Sequence, residues 1–224
     1  QMKKFIKVFA VLIFFVFSSS CSTLKFKKED DPIISANENI FNSFPGDFNG
    51  DGISEQIYVY KSGNGKPCVK LITKDGNYYK ELNDPADNFY SHAADVNGDG
   101  KEEFILYISE SSHEKMYIFS FTDDLNIILS PEMLQKEFDL AKIKNGYVFT
   151  FGSFEEKLGS DLNDNLTMEF NHTDISYEDS LPLFIADGII KSLDKKYYTV
   201  TVSFIINSDN NFEIKDVDML PYEE

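Results

Sequence analysis

Two acidic segments of the chain have residue types and spacing suited to binding a metal ion. In each segment, side-chain oxygens recur at positions 1, 3, 5 and 9, and a glycine lies at position 6. With the carbonyl of position 7 included, the predicted ligands are Asp47, Asn49, Asp51, Ile53 and Glu55 in one segment and Asp95, Asn97, Asp99, Lys101 and Glu103 in the other. A hard cation such as Ca²⁺ takes about six to eight oxygen ligands, and alternate residues of a tight loop point inward. The pattern therefore predicts two Ca²⁺ sites.

The two segments are close copies of each other. Asp95 follows Asp47 by 48 residues (95 − 47), and each segment is followed by an apolar run, residues 56–60 or 104–108. A fixed period of this length is typical of a repeat fold. Gly52 and Gly100 allow the sharp turn that the spacing requires. The alternative is a pair of Asx-rich turns that cap strands without any metal.

The residue at position 12 separates these loops from helix-flanked calcium loops. An EF-hand has a bidentate glutamate there, whereas this chain has Tyr58 in one copy and Leu106 in the other. An acid at position 9 followed directly by a strand resembles the FG-GAP and VCBS repeat family. The resemblance implies that each loop lies between neighbouring strands of a β-propeller blade and that its acids hold Ca²⁺.

A third, degenerate copy is found further along the chain. It keeps side-chain oxygens at positions 1, 3, 5 and 9, in Asp161, Asn163, Asn165 and Glu169. Leu166 replaces the glycine, and the spacing from Asp95 lengthens to 66 residues (161 − 95). The pattern predicts a weak metal site, and the alternative is a chance match in an acidic chain.

The rest of the sequence predicts strands separated by turns. Asp75-Gly76, Asn145-Gly146 and residues 207–211 each lie between two strand-like runs and indicate hairpins. A short helix is expected only within residues 180–193, where Pro182 must lie in the first turn. We therefore predict an all-β fold, a small or incomplete β-propeller of about four blades with calcium-binding inter-strand loops, since residues 21–224 span a little over four periods of 48.

The first residues of the chain are typical of an export signal. Lys3, Lys4 and Lys7 precede an apolar run at residues 8–17, which is too short to span a bilayer. Three serines and Cys21 follow, a pattern similar to a bacterial lipobox, although Ser18 stands where leucine is common. The predicted organisation is a signal peptide at 1–20, a lipidated Cys21 and tether at 21–42, and a repeat domain at 43–224. The alternative is an ordinary signal peptide with an incidental cysteine.

The charge balance excludes one class of partner. The chain has 38 acidic residues and 21 lysines and arginines, and residues 1–20 hold three lysines and no acid. The exported part would therefore carry a net charge of −20 (18 − 38). Nucleic-acid binding depends on basic contacts to phosphates, so we expect no nucleic-acid partner. The same charge suits a basic protein partner.

These observations predict a calcium-binding lipoprotein on the outer face of a bacterial cell membrane, anchored by lipid on Cys21. It would act as a non-enzymatic module that interacts with a protein or a glycan. The sequence contains no nucleophile elbow, zinc-binding histidine pair or phosphate loop, and we expect no catalytic residue. Two alternatives remain. One is an inhibitor or immunity lipoprotein against a lysozyme-like peptidoglycan hydrolase, and the other is a calcium-dependent enzyme that acts on glycans.

Overall fold

The computed structural model describes residues 40–110, 113–159, 162, 165–178, 181–193 and 195–223. The predicted signal peptide, Cys21 and nearly all of the tether lie outside these residues, as do Asp161 and Asn163 of the third loop. Within the described ranges, no helix has both the length and the apolar character needed to cross a membrane.

Fifteen antiparallel strands in the described residues form four sheets, and within each sheet the strands are neighbours in chain order. Sheet 1 contains β1 (Ile40–Gly46), β2 (Glu55–Lys61), β3 (Pro67–Ile72) and β4 (Asn77–Glu81). Sheet 2 contains β5 (Asn88–Ala94), β6 (Glu103–Glu110), β7 (His113–Phe121) and β8 (Leu125–Leu129). Sheet 3 contains β9 (Phe138–Ile143), β10 (Gly146–Phe151) and β11 (Phe154–Leu158). Sheet 4 contains β12 (Thr167–Glu178), β13 (Leu181–Lys191), β14 (Lys196–Ile206) and β15 (Phe212–Pro221). The all-β prediction is confirmed.

The predicted hairpins are present. Thr73 N–H donates to the Gly76 carbonyl at 2.9 Å in the turn between β3 and β4. In the β14–β15 turn, Asn207 N–H donates to the Asn211 carbonyl at 3.0 Å, and Asn210 adopts a φ of 60°. Asparagine tolerates this left-handed conformation better than most residues, which explains its place in the turn.

The helix predicted within residues 180–193 is wrong, because this segment forms strand β13. Phe184, Ala186 and Ile190 are fully buried, and partly buried residues alternate with them, so the segment has the two-residue period of a strand. Pro182 pairs with Tyr177 of β12 but lies beyond the paired part of β14, so it interrupts no ladder on that side.

The short helix, α1 (Pro131–Glu137), instead lies between β8 and β9. Ser130 caps it, since its side chain accepts a hydrogen bond from Met133 N–H at 3.3 Å. A proline in the first turn and Glu132 beside it are typical of a helix start. Leu134 is buried and fixes the helix against the sheets.

Strand β6 is the centre of the core, because both of its faces are buried. Phe104, Leu106 and Ile108 pack into a cluster with residues of sheet 1, whereas Ile105 and Tyr107 pack into a second cluster with residues of sheets 3 and 4. Burial on both faces explains its continuous apolar sequence. The strand also begins at Glu103, a predicted ligand, and it therefore holds that carboxylate on a rigid element.

Candidate metal centre

The two predicted calcium loops occupy equivalent places in their sheets. Loop 1, residues 47–55, connects β1 to β2, and loop 2, residues 95–103, connects β5 to β6. Each loop thus joins the first strand of a sheet to the second, and its position-9 glutamate is the first residue of that second strand. The third predicted loop differs, because it lies between β11 and β12 and so connects two sheets.

The position-9 glutamates hold both loops with the same hydrogen bonds. Glu55 Oε2 accepts from Phe48 N–H at 3.0 Å, and its Oε1 accepts from Asn49 Nδ2 at 2.8 Å. Glu103 Oε2 accepts from Val96 N–H at 3.0 Å, and its Oε1 accepts from Asn97 Nδ2 at 3.3 Å. Glu55 is 5% exposed and Glu103 only 1%. Each carboxylate therefore lies inside its loop, bonded to positions 2 and 3.

An apolar residue at position 2 anchors each loop in the core. Phe48 and Val96 are almost fully buried, and the Phe48 ring meets the Phe104 ring edge-on at 6.4 Å. Sequence reasoning missed this role. The signal was available, since both copies have a large apolar residue between two polar ones.

The remaining side-chain oxygens turn back onto the loop backbone. Position 1 accepts from the position-6 amide, at 2.9 Å for Asp47 and 3.0 Å for Asp95. Positions 3 and 5 each accept from the amide two residues further on; the four bonds are Asn49–Asp51 at 2.8 Å, Asp51–Ile53 at 2.8 Å, Asn97–Asp99 at 2.9 Å and Asp99–Lys101 at 2.8 Å. A carboxylate has about four lone-pair sites, so these bonds leave acceptor capacity for a cation.

Negative charge accumulates in both loops. Burial raises the pKa of Glu103 to about 7, and the nearby Asp99 and Asp95 carboxylates raise it further. The pKa of Glu55 is raised in the same way, by burial and then by Asp51 and Asp47. Like charges at close range disfavour the ionised form, and a bound cation would relieve this repulsion.

Loop 1 has a lysine that loop 2 lacks. Lys74 Nζ lies 2.5 Å from Asp51 Oδ2, and its hydrogen bond is the largest cause of a lowered pKa at Asp51. Asp99, the equivalent residue of loop 2, forms no ion pair with any lysine that the structure describes. A positively charged group therefore already lies against one predicted ligand of loop 1.

The loops contact each other and a third turn. Asp47 N–H donates to Glu102 Oε2 at 2.9 Å, and Glu102 N–H donates to the Asp47 carbonyl at 3.3 Å. Asn97 Nδ2 donates to Asn210 Oδ1 in the β14–β15 turn at 3.0 Å. Loop 2 is thus bonded to sheet 1 on one side and to sheet 4 on the other.

The described part of the third loop is arranged differently. Glu169, its position-9 residue, lies within β12 opposite Ile189, and Lys191 Nζ is 2.5 Å from its Oε2. Asn165 is exposed in the segment before β12, while Asp161 and Asn163 lie outside the described residues. Metal binding in this loop remains a prediction.

Among the residues described, no three or more His, Cys, Asp or Glu side chains are grouped so that they could hold an ion. Comparisons with protein-family models, with curated proteins and with solved structures found no match for the chain. The assignment of Ca²⁺, and the likeness to FG-GAP and VCBS repeats, therefore depend on the loop residues and their placement.

Proposed function

We propose that this chain is an exported, lipid-anchored protein that binds Ca²⁺ in loops 1 and 2 and acts as a non-enzymatic interaction module. The observation that carries the proposal is the equivalence of the two loops. They connect the same pair of strands in two sheets, and a buried position-9 glutamate bonds positions 2 and 3 in both. Two loops with one hydrogen-bond pattern favour one shared role.

The donor set in each loop suits a hard cation. Two aspartates, an asparagine, a glutamate and the position-7 carbonyl supply only oxygen, the ligand type that Ca²⁺ prefers. Asp47, Asn49, Asp51, Ile53 and Glu55 would hold the ion in loop 1, and Asp95, Asn97, Asp99, Lys101 and Glu103 would hold it in loop 2. The ion would neutralise clustered carboxylates and stabilise the fold. In this proposal the four sheets are the blades of a small propeller.

The proposed anchor and the absence of catalysis have separate support. A basic segment, an apolar run, three serines and Cys21 make up the predicted lipidation signal. Against catalysis, the clustered acids are bonded within the loops, and the Cys68 thiol is buried with a raised pKa. A buried thiol of this kind is a poor nucleophile.

Calorimetric titration of the chelator-treated full chain with Ca²⁺, in mild detergent, tests the proposal. We expect two sites and a rise in melting temperature. Free Ca²⁺ at a hundred times the dissociation constant of one site stabilises the folded chain by about 2.7 kcal/mol. This raises the melting temperature of a domain of this size by roughly 5–10 °C. Asp51→Ala and Asp99→Ala should each remove one site, whereas Asp139→Ala, an exposed change on β9, should remove none. Absence of binding to the parent chain would refute the calcium role.

Lys74→Met is expected to strengthen Ca²⁺ binding to loop 1. Lys74 competes with the ion for Asp51, and removal of an exposed ion pair of this kind should raise affinity by roughly two- to five-fold. The titration is made in an Asp99→Ala background so that only loop 1 binds. Lys80→Met, which removes an ion pair with Asp124, is the control. Weaker binding in Lys74→Met would show that the lysine supports the site instead of competing for it.

A further inference from the structure

A cleft of about 390 Å³ opens where residues of β5, β6 and β7 face residues of β12. Its volume lies within the range of known ligand sites, about 300–1,000 Å³. None of the residues that line it belongs to a calcium loop. The cleft therefore lies apart from both predicted calcium loops.

Three tyrosines line the cleft. Tyr107 is only 6% exposed, whereas Tyr90 and Tyr177 are 63% and 59% exposed. Tyr90 pairs directly with Tyr107 across β5 and β6, with ring centroids 5.5 Å apart, and His92 stacks on Tyr107 at 6.0 Å. Exposed aromatic rings in a concave surface are typical of binding sites. The cleft thus presents several π faces together.

The charged groups at the cleft are negative. Glu114 and Asp174 both line it and are exposed. No lysine lines the cleft within the described ranges, and the one ion-pair distance recorded there joins His172 Nδ1 to Glu114 Oε1 at 3.7 Å. Burial lowers the pKa of His92, so its ring is neutral at pH 7 and adds no positive charge. Its Nδ1 is buried and has no hydrogen-bond partner among the residues described.

We propose that this cleft binds a lysine or arginine side chain of a basic protein partner. Tyrosine faces attract an organic cation, and two carboxylates at the opening accept its N–H groups in charge-assisted hydrogen bonds. The net charge of the chain favours approach of such a partner. A quaternary ammonium has no N–H to donate to Glu114 or Asp174, and a neutral sugar gains little from two carboxylates. Both fit the cleft less well.

The choice of a protein partner rests on the proposed interaction role, but the inference does not depend on calcium binding. The inference is tested by NMR titration of the full chain with N-acetyl-lysine N-methylamide and with the same derivative of arginine. Each titration is made once with calcium and once with chelator. The comparison probes are capped norleucine, choline and N-acetylglucosamine. We expect saturable binding of the two cationic amino acids and much weaker binding of all three comparison probes.

Variants at the cleft give the matched controls. Tyr90→Ala and Tyr177→Ala should each weaken binding by about two- to five-fold, and the double variant Glu114→Gln/Asp174→Asn by about five-fold or more. Tyr79→Ala, another half-exposed tyrosine on β4, and Glu155→Gln/Asp218→Asn, which removes two exposed acids elsewhere, should leave it unchanged. Circular dichroism checks that every variant is folded.

Three results would overturn the proposal: no saturable binding of capped lysine or arginine, norleucine binding as well as lysine, or choline or the sugar binding more tightly. The calcium titration is a separate measurement. If the cleft binds neither cationic amino acid but the chain binds two calcium ions, the proposed metal role stands. Binding to the cleft in a chain that takes up no calcium would refute only the metal role.

Discussion

Glu103→Gln is expected to abolish the calcium-induced stabilisation from loop 2 and to destabilise the calcium-free protein much less than Glu103→Ala does. Glutamine keeps one oxygen that can accept from Val96 N–H. Its amide NH₂ takes the place of the oxygen that accepts from Asn97 Nδ2, so the loop keeps one of these two hydrogen bonds. It removes the negative charge that a cation would need at this 1% exposed position. Thermal melts in chelator and in saturating Ca²⁺ measure the two effects, and about half of the calcium shift should remain, from loop 1.

The contrast variant is Glu103→Ala. It leaves the buried Val96 N–H without an acceptor, which costs about 1–3 kcal/mol, so it should lower stability in chelator and in calcium alike. If Glu103→Gln were as unstable as Glu103→Ala in chelator, or kept the whole calcium shift, the carboxylate would be a structural cap and not a metal ligand.

The same variant should change the pH dependence in chelator. The pKa of Glu103 is about 7 in the folded chain, against an ordinary value of 4.5. The folded protein therefore holds this proton more tightly than the unfolded chain between pH 4.5 and 7. The contribution of this proton to the free energy of unfolding is fully present below pH 4.5. It is lost as the pH rises through 7, by on the order of 3 kcal/mol. Glu103→Gln should lack this component, and chemical denaturation from pH 4 to 8 measures it.

Phe104→Ala should be the most destabilising of these substitutions. The side chain is fully buried, and its ring packs against Phe44, Phe48 and Phe119 at centroid distances of 5.9, 6.4 and 6.1 Å. Loss of such a ring costs about 3–5 kcal/mol. Because Phe48 is position 2 of loop 1, Ca²⁺ affinity in that loop should fall as well. Urea denaturation and the calcium titration measure the two effects.

Phe104→Leu and Tyr79→Ala are the controls. Leucine fills most of the space and should cost less than about 2 kcal/mol, while Tyr79 is 54% exposed and should cost little. A loss below about 1 kcal/mol in Phe104→Ala would contradict the central position of β6 in the core.

Local signals predicted the positions of the two loops and of three hairpins. The pattern from Asp47 to Glu55 and from Asp95 to Glu103 is set by neighbouring residues, and the structure places both loops between adjacent strands. The sequence predicted no strand over β12, where a register shift between Phe170 and His172 interrupts the regular pairing. The Ser130-Pro131-Glu132 signal for α1 was present in the sequence but was not used.

The cleft could not have been predicted from the sequence. Tyr90, Tyr107 and Tyr177 lie on three strands, and only strand register and the approach of β12 to sheet 2 bring them together. Each tyrosine by itself looks like an ordinary half-buried strand residue. Contacts between residues far apart in the chain produce no pattern in the local sequence.

If each loop binds an ion as proposed, the contact between Glu102 and Asp47 would link the two binding events thermodynamically. The backbone N–H of the first ligand of loop 1 is held by a carboxylate of loop 2, so a shift of either loop on ion binding acts directly on the other. By reciprocity, whatever factor one bound ion imposes on the affinity of the second loop must apply equally in reverse. Through Asn97 and Asn210, the same linkage extends to the C-terminal hairpin, which would respond to free Ca²⁺ although it holds no ion itself.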